Sequence, residues 1–182
     1  FGRKVNLPVF LSPTAMQRLY HHEGDKASAR AAEKFGTFYS MSSMANTSIE
    51  EISNLSSGPK LFQLYVHKDQ SITDDLIDRC RRSGFDGMCL TVDTLVAGNR
   101  EKDHRTGFTT PPKLTLQSLM SFALHPNWVF NYLTHGKFKL ANVAAKTDKG
   151  TNIAKSVIDY INEQYDPAMN WKDAEYCVKK WN

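Results

Sequence analysis

The stretch TVDTLVAGNRE, residues 91 to 101, follows the apolar run GMCL and sets a carboxylate, Asp93, and a guanidinium, Arg100, where a buried strand should give way to a turn. An acid at a strand end can cap the following turn, or it can orient an imidazole and stabilise its charged form. An arginine in such a loop is a solvated charge beside Glu101 and Lys102, or a fork that grips a carboxylate through two parallel hydrogen bonds, as a lysine cannot. Gln63 and Tyr65 are two residues apart, as are Thr91 and Asp93, so each pair projects from one face of its strand.

The elements that must hold these residues are legible as four short apolar or β-branched runs: LPVFLSP (7 to 13), GTFYSMSS (36 to 43), KLFQLYV (60 to 66) and GMCLTVD (87 to 93). Their centres lie roughly 25 to 30 residues apart, the spacing of successive βα units. Between them the pattern predicts three helices. HHEGDKASARAAEKF keeps Ala27, Ala31 and Phe35 on one face, TSIEEISNL opens with a Thr47/Glu50 capping-box pattern, and SITDDLIDRCRRSG aligns Ile72, Leu76 and Cys80. Each helix stops at or near a glycine: Gly36, Gly58 and Gly84. Continuously apolar strands are the habit of parallel sheets buried on both faces, so the class is α/β.

Within that class the first turn discriminates. An open dinucleotide-binding sheet shows G-x-G-x-x-G after its first strand. Here SPTAMQRLYHHEG has no glycine before Gly24. A (β/α)8 barrel instead distributes polar groups over the carboxyl ends of many strands, and all four runs carry them there: Thr14, Ser42 with Ser43, Gln63 with Tyr65, and Thr91 with Asp93.

The 182 residues, 41% of them apolar, suffice for one domain with a sizeable core. The 23 basic and 19 acidic residues are interspersed, so nucleic acid is not the expected partner. Cys80, Cys89 and Cys177 are far apart and lack paired spacing, which suggests neither a disulfide framework nor a zinc site and fits a reducing cytoplasm. No apolar run approaches the roughly 18 residues of a membrane span, and FGRKVNLP does not read as a signal peptide.

SPTAMQRL, the helix EGDKASARAA, SMSS followed by TSIEEI, FQLYVHKD, and TVDT with GNREKDHRTGF resemble the FMN-dependent α-hydroxy-acid dehydrogenases and oxidases, the family of glycolate oxidase and the flavin L-lactate dehydrogenases. HPNW, the Lys139 to Asn142 stretch and YDPAMNWKDAEY extend the resemblance through the chain, on the side of the respiratory lactate-dehydrogenase branch. It implies a (β/α)8 barrel with FMN across its carboxyl-terminal mouth. Pro13, Thr14 and Ala15 would give main-chain contacts beside the flavin. Ser42, Gln63 and Thr91 would meet its ring edge, and Tyr65 would serve both flavin and substrate. Asp93 would support a catalytic histidine, Arg100 would bind the substrate carboxylate, and Met44 would line the pocket for the substrate's side chain. Leu95 and Asn99 depart from the residues many members carry beside that arginine.

A full barrel needs about 250 residues, so the expectation is a partial domain, residues 1–182, holding the first four βα units. The family's catalytic histidine, flavin-side lysine and second arginine would lie outside it, and the piece alone would be inactive. The resemblance implies oxidation of an L-2-hydroxy acid, L-lactate foremost, with a quinone, cytochrome or oxygen as electron acceptor and homo-oligomers at full length. The competing reading is a barrel that binds an anion without redox catalysis. Residues 111 to 146, long for a connection and rich in Phe, Leu, Trp and Tyr, resemble an insertion that attaches respiratory relatives to the membrane, with Lys113, Lys137 and Lys139 favouring anionic lipid; an active-site lid is the competing reading of the same pattern. The expected location is cytoplasmic, at the inner face of the cell membrane.

Overall fold

A computed structural model describes residues 1–93, 99, 101–107, 115–135, 139–143 and 163–182. Four strands, β1 (Phe10–Leu11), β2 (Phe38–Ser42), β3 (Lys60–Leu64) and β4 (Gly87–Leu90), form one parallel sheet in the order β1-β2-β3-β4. Helices α1 (Asp25–Phe35), α2 (Ile49–Leu55) and α3 (Gln70–Arg82) make the three crossovers. A sheet that advances one strand per crossover without reversing is the arc of a (β/α)8 barrel; a doubly wound sheet turns back at a switch point. The fold class expected from the sequence is the one observed.

β2 and β3 are buried along their whole length, as continuous apolar runs require, whereas β1 and β4, at the sheet's edges, are partly exposed. Met41, Ile49, Ile52, Phe62, Leu64, Leu76 and Ile77 form the centre of the core. α3 buries Ile72, Leu76 and Cys80 as its periodicity predicts.

Two expectations for the helices are corrected. α1 buries Asp25, Ala29 and Ala32, whereas Ala31 and Phe35 are exposed, Phe35 at 59%. The helix is turned by the carboxylate of Asp25, whose partners lie inside, and the small alanines beside it let α1 approach β2. The capping box of α2 is Ser48 with Glu51, one residue later than the Thr47/Glu50 pattern. Thr47 is buried and its carbonyl accepts a hydrogen bond from Asn142 Nδ2 at 3.2 Å, so it belongs to the loop. α1 ends as expected at Gly36, whose φ of 63° suits glycine, and a Cβ there would lie 2.3 Å from the Asn6 side chain.

Beyond the sheet, α4 (Glu101–Thr106), α5 (Leu116–Leu124), α6 (Pro126–Thr134) and α7 (Trp171–Trp181) follow. α7 packs on α3, where Tyr176 Oη donates to Asp74 at 2.8 Å and Lys180 pairs with Asp78 at 3.2 Å. All three cysteines are free. α5 and α6 differ from the other helices: Leu116, Met120, Leu124, Phe130 and Leu133 are all more than 60% exposed.

Candidate functional site

Ser42 closes β2 and stands in register with Gln63 on β3. Its Oγ donates to Gln63 Oε1 at 3.2 Å, and Gln63 Nε2 donates in turn to Thr91 Oγ1 at 2.7 Å. Three adjacent strands thereby contribute one side chain each to a continuous polar row at their carboxyl ends. Thr91, just past β4, is held by its backbone N–H, which donates to Leu64 O at 2.9 Å and prolongs the ladder. Ser42 and Gln63 are buried and Thr91 is half-buried.

Tyr65 and Asp93 lie one step further out on the same strands. The Tyr65 ring is half-buried and stacks on Tyr165 with centroids 4.6 Å apart. Burial, then the negative charge of Asp93, push the Tyr65 phenol up from its ordinary pKa, so it stays protonated and able to donate throughout the neutral range. Asp93 itself is exposed. Tyr65, Thr91, Val92, Tyr165 and Met169 line a small cleft at this level.

The loop after β1 is tied to the same end of the sheet. Pro13 and Thr14 are exposed and Ala15 packs against the core. Met16 follows with φ 55°, alone among the described non-glycine residues in having a positive φ, and its N–H donates to Met44 O at 3.2 Å. A side chain in the left-handed region costs about 1 kcal/mol or more, and here that bond holds it in place. Met44, expected beside the substrate's side chain, is 4% exposed and its side chain belongs to the core cluster. Arg100 and Leu95 lie outside the described residues; Asn99 is exposed.

Sequence reasoning did not single out the residues that position this loop. Asp25 is fully buried, accepting from the Asn46 N–H at 3.0 Å and from Tyr39 Oη at 3.3 Å. Burial raises its pKa against those two bonds. Asn46 Oδ1 accepts from Arg18 N at 3.1 Å and its Nδ2 donates to Lys139 O at 2.8 Å, joining the loop after β1 to a segment 93 positions beyond Asn46. Asn142 repeats the device, accepting from Ile49 N at 2.9 Å. An aspartate after glycine at a helix start reads as a cap, and only its burial shows otherwise. Ser43 Oγ is buried with no hydrogen-bond partner among the described residues. Tyr165 lies in a quoted motif, yet its stacking on Tyr65 follows from the bridge between His67 and Tyr165, which no local pattern announces.

The family model described as FMN-dependent dehydrogenase matches residues 1–182. Glycolate oxidase of Spinacia oleracea is 37% identical over 175 residues, covering 96% of this chain and 42% of the relative. A protein provisionally named L-lactate dehydrogenase in Mycobacterium tuberculosis is 35% identical over 181 residues, covering 99% and 42%. The chain thus spans less than half the length of these relatives, and the two identities do not separate the oxidase from the lactate-dehydrogenase branch. Among solved structures, that of the monotopic membrane protein (S)-mandelate dehydrogenase superposes with a TM-score of 0.88 at 27% identity, over 98% of this chain and 47% of that one. With the family model matched from end to end and the strands wound as one arc of a barrel, the chain belongs to the family of FMN-dependent dehydrogenases.

Proposed function

We propose that residues 1–182 supply part of the active site of an enzyme that oxidises a small L-2-hydroxy acid, L-lactate foremost, to the 2-oxo acid. The supporting observation is the row Ser42–Gln63–Thr91 with Tyr65 and Asp93 one step beyond it. The donor set fits FMN: after its two bonds Gln63 retains an N–H and a carbonyl lone pair, and Ser43 adds an unused buried hydroxyl, a mixture suited to the alternating donors and acceptors of a flavin's pyrimidine edge. Ser42, Gln63 and Thr91 would hold that edge, with the backbone of Pro13, Thr14 and Ala15 beside it. FMN, when bound, takes up the two electrons that leave the substrate's C2.

The chain's own groups orient the substrate and manage charge. The protonated Tyr65 phenol donates to a substrate oxygen. Asp93 favours a cationic neighbour, the role needed beside the histidine base that the family implies elsewhere in the whole protein. Arg100 grips the substrate carboxylate with two hydrogen bonds. Oxidation removes two electrons and two protons, one from the hydroxyl and one from C2. Nothing observed favours the competing anion binder without redox chemistry.

The test is steady-state oxidation by the full-length protein of L-lactate, glycolate and (S)-mandelate with an artificial acceptor. The expected order places L-lactate first; no flavin reduction by any of the three overturns the reading. Arg100→Lys should lower kcat/KM by about 1–3 kcal/mol equivalent while flavin stays bound.

A second reading concerns location. Thr115 to His135 contains no Asp, Glu, Lys or Arg, and its helices expose Leu116, Leu119, Met120, Leu124, Phe130 and Leu133. No helix among the described residues is long and apolar enough to cross a membrane. An uncharged exposed face of this kind supports peripheral contact with the cytoplasmic side of the cell membrane, through the segment expected at 111 to 146. Such a site would suit a quinone as electron acceptor; cytochrome and oxygen are the alternatives, told apart by assaying each. Homo-oligomerisation of the full-length protein is checked by its solution mass. A full-length protein that remains wholly in the soluble fraction at low salt would sink the membrane reading.

A further inference from the structure

Between the loop after β1 and α6 lies a cavity of about 230 Å³ that the hydroxy-acid chemistry does not use. One wall carries Arg18, His21 and His22; the other carries Asn127 and Asn131, one helical turn apart, with Trp128 beside them. Trp128 is clamped between Phe122 and Tyr132, and its Nε1 donates to Leu19 O at 2.9 Å, which fixes α6 against the loop. The rings of His21, His22 and His135 lie in a row, tilted to one another, with successive centroids 4.3 Å apart, and His135, just past α6, stands against His22. Among the described residues the carboxylate acting on His22, Glu23, is engaged by Arg30. A guanidinium, two imidazoles backed by a third, and two carboxamides make an anion-seeking surface, and the volume is below the roughly 300–1,000 Å³ of pockets that enclose drug-sized molecules.

We propose that this cavity binds the phosphate of an anionic phospholipid headgroup, at the root of the apolar surface formed by α5 and α6. The inference rests on the membrane reading above and goes beyond it by assigning the lipid-charge specificity to named residues. The charge argument selects the lipid: α5 and α6 bring no charge of their own, so the apolar face alone does not distinguish anionic from zwitterionic membranes, whereas Arg18 and the imidazoles do. The neighbouring imidazoles also make the site sensitive to pH. The groups acting on His22 are His135, His21, Glu23 and Arg18, and its pKa lies below the ordinary value through burial first and then through the two neighbouring imidazoles. An anion in the cavity favours the protonated form of His22, so binding should take up protons and strengthen as pH falls below the ordinary imidazole value.

The test uses full-length holoenzyme, vesicles of phosphatidylcholine alone, and vesicles of phosphatidylcholine with phosphatidylglycerol. Wild type should prefer the anionic vesicles, more so at lower pH. Arg18→Gln should weaken that binding about fivefold, the loss expected for one basic residue at an anionic surface, and His22→Gln should flatten the pH dependence. Both variants should leave binding to phosphatidylcholine, flavin content and oxidation of soluble substrate unchanged, which separates loss of the site from loss of the fold. Wild type that binds both vesicle types equally, or R18Q and H22Q variants that keep the full anionic preference, would overturn this proposal and leave the membrane reading standing. Failure of wild type to bind either vesicle would overturn both. Saturable binding of inorganic phosphate at Arg18 without an anionic-vesicle preference would assign the cavity to a free phosphate and overturn the lipid.

Discussion

At the scale of single residues, Gln63 is the hinge of the proposed site because both ends of its amide are committed. Its Oε1 accepts from Ser42 and its Nε2 donates to Thr91, so Gln63→Leu leaves the Ser42 O–H without its acceptor and Thr91 Oγ1 without its donor in a largely buried row. An unsatisfied buried polar group costs about 1–3 kcal/mol. The expected outcome is a lower unfolding midpoint together with loss of flavin on dialysis, read from the protein's visible absorbance. Tyr65→Phe is the contrasting case: the ring stacked on Tyr165 survives and only the donor is lost. Stability should hold, while kcat/KM should fall by about 1 kcal/mol equivalent or more. A Tyr65→Phe enzyme with wild-type kinetics would remove the phenol from the chemistry.

At the scale of elements, Asn46 decides whether the loop after β1 stays seated. Its side chain serves Arg18 N on one side and Lys139 O on the other, while its own N–H is held by the buried Asp25. Asn46→Ala should therefore loosen two segments at once, costing about 2 kcal/mol or more since both partners lie in part-buried surroundings. Hydrogen exchange is expected to speed up at Arg18 and around Lys139 but not in α3, which is held independently by Ile72, Leu76 and Cys80. Equal acceleration in α3 would mean a general loss of stability in place of a local unlatching. Neither α1's buried face nor these latches were legible beforehand. A periodicity count sees Ala27, Ala31 and Phe35, and it gives no weight to a carboxylate whose partners sit on β2 and in the loop beyond it.

At the scale of the whole molecule, His67 links the sheet to the Tyr165 segment and to pH. Its ring is buried, edge-on to Tyr165 with centroids 5.2 Å apart. Burial brings its pKa down to about 4, against a backbone hydrogen bond at Tyr65 and the charge of Asp69, which pull upward. A histidine whose pKa is lower folded than unfolded binds fewer protons in the folded state. Stability is then complete above the unfolded value near 6.5 and is lost as pH falls toward about 4. The loss is at most on the order of 3 kcal/mol. Denaturant midpoints of the full-length protein should fall across this window, and His67→Phe should flatten the slope whatever it does to the absolute level. An unchanged slope would exclude His67 as its source.

The sequence by itself determined what depends on residues near one another in the chain: the four apolar runs that become parallel strands, the glycine that ends α1, the buried stripe of α3, and the pairs Gln63/Tyr65 and Thr91/Asp93 on shared strand faces. Period-two and helical spacing are local properties, and burial enforces them directly. Only the tertiary structure decided that Ser42, Gln63 and Thr91 bond in one row, because that depends on the register of three strands separated by helices. The same holds for Asp25 inside the core, the capping box at Ser48 in place of Thr47, the Tyr65–Tyr165 stack, and the three imidazoles brought together from either side of α6. Each of these is a contact between distant segments, favourable only once the sheet has set their positions, and no local pattern encodes that geometry.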